Sequence, residues 1–152
     1  MTTPPSLTEQ AQQLNRTFAG TFHELVGMRY DELGEGRAVN RLTVRPDLFA
    51  SNGFLHAAAV VALADSACGH GCAASLPAGA SGFTTIELKS NFLGTARDGE
   101  LRCEATLTHG GRSTQVWDAR VERVADYPAD NKVVALFRCT QLILYPAERT
   151  PG

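Results

Sequence analysis

What the chain of 152 residues lacks already narrows its function. It has no run of five like charges, and 14 basic against 16 acidic residues leave a net charge of −2. A nucleic-acid binder, which presents a basic face, is therefore not expected, nor is a charged interaction tail. Four cysteines (Cys68, Cys72, Cys103 and Cys139) are too few for a disulfide scaffold. The opening MTTPPSLTEQ has neither the basic nor the apolar region of a secretory signal. There is no G-x-S-x-G elbow, no G-x-G-x-x-G fingerprint and no phosphate loop ending in Gly-Lys-Ser/Thr. Cys68 and Cys72 flank His70, but no second cluster at metal-ligand spacing accompanies them, so core packing is expected and no metal site.

What is present is an ordinary globular composition, 43% hydrophobic and 20% charged, in a length that suits one domain over residues 1–152. The longest apolar stretch, Phe54 to Leu76, approaches the length of a membrane span but carries His56, Asp65, Ser66 and His70. Polar groups at that depth make insertion costly, so a buried helix in a soluble cytoplasmic protein is expected, with no membrane partner.

Residues 1–20 form an N-terminal segment in which Ser6-Leu7-Thr8-Glu9 is spaced as a capping box, predicting a helix to about Phe18 with Gly20 as its stop. Two short extended runs, Leu25–Leu33 and Arg37–Arg45, flank Gly34-Glu35-Gly36 as a hairpin that Pro46 ends. Leu55 to about Ser75 is alanine-rich and predicts the main helix, apolar nearly all round and so wrapped by other structure. Strands follow at Phe83–Phe92, Glu100–His109, Arg112–Val124 and Lys132–Tyr145, before a polar tail at 146–152. Short turns make antiparallel pairs, so the expected class is α+β, one antiparallel sheet wrapped around a long helix.

Within that helix Asp65 is the conspicuous residue. A buried carboxylate needs donors, solvent or a cleft, unless it lies on a solvent-facing stripe or is satisfied by neighbouring backbone. His56 opens the same helix beside the amides of Ala57 and Ala58, which the first turn leaves unbonded and which, with the helix dipole, can hold negative charge on a carbonyl oxygen. A histidine satisfied locally at a helix start is the plainer alternative. Nine residues at about 100° and 1.5 Å each put His56 and Asp65 on opposite faces, roughly 13 Å apart along the axis. If both act on one substrate, they come from different subunits. The segment Leu107 to Ser113 either offers amides and a guanidinium to a phosphate or is a hairpin with an exposed arginine.

Asn52-Gly53-Phe54-Leu55-His56-Ala57-Ala58 followed by Leu63-Ala64-Asp65 resembles the "N…G-x-x-H-G-G…L-A-D" signature of hotdog-fold thioesterases. The phenylacetate-pathway (PaaI-like) branch, related to the Arthrobacter-type 4-hydroxybenzoyl-CoA thioesterases, is the most similar. Thr84 to Leu93, Gly99-Glu100-Leu101 and His109-Gly110-Gly111-Arg112-Ser113 match its later landmarks, so the resemblance covers about residues 25–145. It implies hydrolysis of an acyl-CoA thioester, an aryl-CoA among the candidates, without a further cofactor. It also implies a homodimer with two composite sites, and a homotetramer built as a dimer of dimers. Carried over, Asp65 is the general base or nucleophile, the Ala57 amide holds the oxyanion, and His56 fixes that turn. Thr84 or Thr85 orients Asp65 or its water, and Gly111, Arg112 and Ser113 lie near the CoA phosphates. Two departures stand out. Ala57-Ala58 replaces Gly-Gly, keeping the amide but narrowing the approach, and Asn52 lies four residues before the histidine, where the family's asparagine lies six before. Two alternatives remain: a non-catalytic acyl-CoA binder, suggested by those departures, and a hotdog hydratase or dehydratase, disfavoured because its proline-rich loop is missing.

Overall fold

A computed structural model describes residues 3–147; residues 148–152 of the expected polar tail lie outside the described residues. Two N-terminal helices, α1 (Leu7–Asn15) and α2 (Phe22–Val26), precede the hairpin β1 (Met28–Gly34) and β2 (Arg37–Thr43). The long helix α3 (Ala57–Ala74) follows, and then β3 (Gly82–Phe92), β4 (Glu100–Gly110), β5 (Thr114–Arg123) and β6 (Lys132–Leu144). The six strands form one sheet in the order β1-β2-β4-β5-β6-β3, and every adjacent pair is antiparallel. α3 packs against all six strands of this sheet, the arrangement that the hotdog resemblance implies.

The capping box is present: the Ser6 hydroxyl accepts from the Glu9 amide, and the Glu9 carboxylate accepts from the Ser6 amide at 2.7 Å. α1 stops at Asn15, short of the expected Phe18, because the Asn15 side chain bonds sideways to the backbone of Tyr30. Its Nδ2 donates to the Tyr30 carbonyl and its Oδ1 accepts from the Tyr30 amide. α2 falls where the sequence reading begins a strand. Gly27 closes it with φ +75°, and Arg45 holds its last carbonyls, donating to Val26 and Leu25 at 2.7 Å each.

α3 buries Ala59, Val60, Leu63, Ala64, Ala67, Cys68, Gly71 and Cys72 against the sheet, a stripe at three- and four-residue spacing. By length and hydropathy this helix could cross a bilayer, but it is packed into the sheet and carries Asp65. At Gly71 a Cβ would sit 2.6 Å from the Trp117 ring, which explains why glycine occupies that position. All four cysteines are free and buried. β4 and β5 alternate as half-buried strands do, with Leu101, Cys103, Ala105, Trp117, Ala119 and Val121 buried.

β3 is the exception to burial. It pairs only with β6, leaving its other edge open, and Ile86, Leu88 and Phe92 are exposed along it. An open apolar edge strand is normally covered by another chain or segment.

Candidate active site

α3 builds the site from its two ends inward. At its start His56 is the N-cap, and its Nδ1 accepts from the Ala58 amide at 2.9 Å. The neutral ring therefore carries its proton on Nε2. The His56 carbonyl accepts from Ala59, and the His56 amide donates to Leu48. The Ala57 amide, between these occupied neighbours, makes no hydrogen bond among the described residues. It is the unfilled donor at the helix tip, where the partial positive charge of the macrodipole concentrates.

Nine residues on, Asp65 lies with Val61, Ala62, Ser66 and Gly69 on the half-covered side of α3. Its Oδ1 is buried and has no hydrogen-bond partner. Desolvation by burial raises its pKa above the ordinary carboxylate value. The helix is unbroken between the two residues, so His56 and Asp65 of one chain face apart and do not meet. One chain thus carries an unbonded amide at the tip and a partnerless carboxylate oxygen on a different face of the same helix.

The start of β3 packs on α3 one turn beyond Asp65, with the Phe83 ring 3.4 Å from where a Gly69 Cβ would be. Thr85 is half-buried, and its hydroxyl donates to Oε1 of the buried Gln141 at 2.7 Å. Thr84 is exposed. Neither threonine hydrogen-bonds Asp65 within the chain. Asn52 is exposed in the loop before α3, and its Oδ1 accepts from the Phe54 amide at 3.1 Å, a local turn. The exposed Phe54 ring lies under the Arg97 guanidinium, 4.2 Å from its centroid.

The β4–β5 turn lies at the opposite end of α3. The Ser75 carbonyl accepts from Gln115, close by that turn, and α3 is about 27 Å long at 1.5 Å per residue. There the Gly111 amide donates to the Thr114 carbonyl and is not available to a ligand. Arg112 is exposed near the Tyr145 ring, and the neighbouring Ser113 is exposed. A single chain therefore does not bring Arg112 and Ser113 to the His56 tip.

Two buried polar features escape a sequence reading. Asn40 of β2 is fully buried. Its Nδ2 donates to the Leu63 carbonyl at 3.0 Å, while its Oδ1 has no partner. His70 bonds the Tyr30 hydroxyl at 2.7 Å and packs beside His23. Burial, with His23 adding to it, lowers its pKa to about 4. Among the described residues no group of three His, Cys, Asp or Glu side chains could hold a metal ion.

The family model of the thioesterase superfamily matches residues 52–127, half of the chain, a span that includes His56, Asp65, Arg97 and Arg112. A 1,4-dihydroxy-2-naphthoyl-CoA hydrolase of Listeria monocytogenes is 29% identical over 117 residues, covering 77% of this chain and 90% of that protein. Among solved structures, a conserved protein of Pseudomonas aeruginosa is 34% identical with a TM-score of 0.72, over 81% of this chain and 93% of its own. A Pseudomonas aeruginosa thioesterase superimposes with a TM-score of 0.79 at 26% identity, over 93% and 96% of the two chains.

Proposed function

Since the chain belongs to the thioesterase superfamily, we propose that it hydrolyses an acyl-CoA thioester to a free acid and CoA, at sites shared between two subunits. The observation that carries this reading is the pair of unfilled groups on α3: the unbonded Ala57 amide at the tip and the buried, partnerless Oδ1 of Asp65. In a two-fold dimer the tip of one helix holds the thioester oxygen while Asp65 of the other subunit faces the carbonyl carbon. His56 keeps the turn in place by accepting from Ala58, which leaves the Ala57 amide to the oxyanion.

Asp65 either deprotonates a water or attacks directly, and in both cases it must be ionised. Thr84 and Thr85 stand on the strand beside it, and Asn52 shapes the loop before the tip. Arg112 and Ser113 reach CoA phosphates only from another subunit. The exposed apolar edge of β3 supports the dimer, and an acyl-CoA is the only ligand required. An aromatic acyl group is supported by Phe54 at the tip and by the naphthoyl-CoA substrate in the name of the Listeria relative.

Thiol release from a panel of aryl, short-chain and medium-chain CoA esters tests the activity. Asp65→Asn is expected to keep its affinity for CoA esters and to lose more than about a hundredfold in kcat, the scale of a general base. Unchanged turnover in that variant would remove Asp65 from the mechanism, and binding without any wild-type turnover would make the protein an acyl-CoA binder.

A further inference from the structure

The end of the sheet that carries the α3 tip also holds a cavity of about 310 Å³ lined by Thr95, Ala96, Arg97, Asp98, Arg123 and Lys132. Three of its lining side chains are cations and one is an acid. Asp98 is ion-paired with Arg123. Arg97 and Lys132 form no ion pair among the described residues, and the nearby Asp126 and Asp130 do not line the cavity.

A second observation points the same way. Arg123 and Lys132 stand directly opposite each other in the β5–β6 ladder. Like charges at such a position repel and destabilise the pair unless an anion lies between or above them. Here the only acid in the lining answers one of the two. The strand register thus sets Arg123 and Lys132 side by side, and Arg97 and Lys132 reach the cavity as exposed side chains.

The third observation ties this cavity to the substrate. Arg97 sits over the Phe54 ring at 4.2 Å, and Phe54 is two residues before His56. The Gly99 carbonyl, in the same β3–β4 connection, accepts from Val44 at 2.9 Å, holding that connection to the segment leading into the tip. The cationic cavity and the carbonyl-holding amide therefore belong to one end of one chain.

We propose that this cavity binds a phosphate group of the CoA nucleotide, with Arg97, Lys132 and Arg123 as its cationic lining. The assignment rests on the acyl-CoA reading above and extends it to residues that reading does not use. Arg97 acts twice, its guanidinium face on Phe54 and its N–H edges toward the phosphate. Because the tip and the cavity share a subunit, one chain grips both the thioester oxygen and the far end of the same substrate, while its partner supplies the carboxylate.

The experiment measures binding and turnover separately. By titration calorimetry, Arg97→Gln and Lys132→Gln are each expected to weaken CoA binding by about tenfold, the worth of a charge-assisted contact. In kinetics the same variants are expected to raise KM for an acyl-CoA by a similar factor with kcat unchanged. With the N-acetylcysteamine thioester of the same acid, which carries no phosphate, they are expected to match the wild type. Titration of 3′-dephospho-CoA locates the contact: if the variants no longer differ from wild type, the cavity holds the 3′-phosphate, and if they still do, it holds the diphosphate. Equal CoA affinity in variants and wild type would overturn the proposal. So would an equal loss on the phosphate-free thioester, which would mean that the tip itself had been damaged. Inorganic phosphate that binds through Arg97 without competing with CoA would also overturn it, making the cavity a free-phosphate site. A wild type that binds CoA through Arg97 and Lys132 but hydrolyses nothing would defeat the hydrolase reading and leave this one standing.

Discussion

Asp65 pays for its position in stability, and the sign of that cost is open to test. Burial raises its pKa, so the folded protein holds the proton more tightly than the unfolded chain and ionisation works against folding. The deficit is absent below the ordinary carboxylate pKa of about 3.9 and complete once the pH exceeds the raised value. Asp65→Asn, which removes the charge, is therefore expected to raise Tm at pH 7 while abolishing turnover, with the gain disappearing near pH 3. Scanning calorimetry at the two pH values reads this directly, and a lower Tm for the variant at pH 7 would contradict it. If Asp65 is the base proposed above, the same shift is expected to set the acid limb of kcat/KM above the usual carboxylate range, because the base must be ionised to act. Asp65 and His56 are legible in sequence because each interrupts a strong pattern, one as a charge in an alanine-rich run and the other at its start. Arg97 has no such signal. It lies in a connection without periodicity, and its relation to Phe54, 43 residues earlier, exists only in three dimensions. Asn40 is hidden for a related reason: β2 also carries Arg37, Arg41 and Thr43, and nothing local marks Asn40 as the polar residue that faces inward.

At the scale of elements, composition and capping signals locate α3 and α1 well, because helix propensity and the Ser6–Glu9 box act locally. α2 is missed for the opposite reason. Its five residues have no side-chain cap, and its end is held by Arg45, 18 residues beyond Gly27. The position of β3 is equally non-local: it pairs with β6 and not with its neighbour in sequence, which leaves its other edge open. At Gly71 the helix approaches the sheet closely, with the Trp117 ring 2.6 Å from where a Cβ would be. Its consequence inverts an ordinary rule. Replacing a mid-helix glycine by alanine normally stabilises by about 0.8–1.0 kcal/mol, but at Gly71 the new methyl group would meet Trp117. Gly71→Ala is expected to destabilise by about 1–3 kcal/mol, as overpacked cores do. Urea unfolding checks this, and Gly71→Ala combined with Trp117→Leu should recover part of the loss because the two positions share one space.

At the scale of the whole molecule, one helix presents its tip and its carboxylate in different directions. An unbroken α3 keeps His56 and Asp65 of one chain apart, so under the proposed dimer removing either group disables one half of each composite site, and the two kinds of damage can be sorted into different subunits. Asp65→Asn removes the base. Ala57→Pro removes the tip amide at a first helical position, where proline fits the backbone. Each variant alone is expected to be inactive. When the two are mixed and allowed to exchange subunits, half of the dimers at random reassortment are hybrids. In each hybrid one site combines two damaged halves, and the other combines the intact tip of the Asp65→Asn chain with the intact carboxylate of the Ala57→Pro chain. Activity should return to about a quarter of the wild-type level, as the two-fold symmetry of the proposed dimer requires. Recovery should appear only after conditions that exchange subunits, and lysine at Ile86, on the exposed edge of β3, should prevent it by opposing association. A mixture that stays inactive after proven exchange would mean that tip and carboxylate belong to the same site in one chain, which the helix geometry forbids, or that one of them takes no part in the reaction.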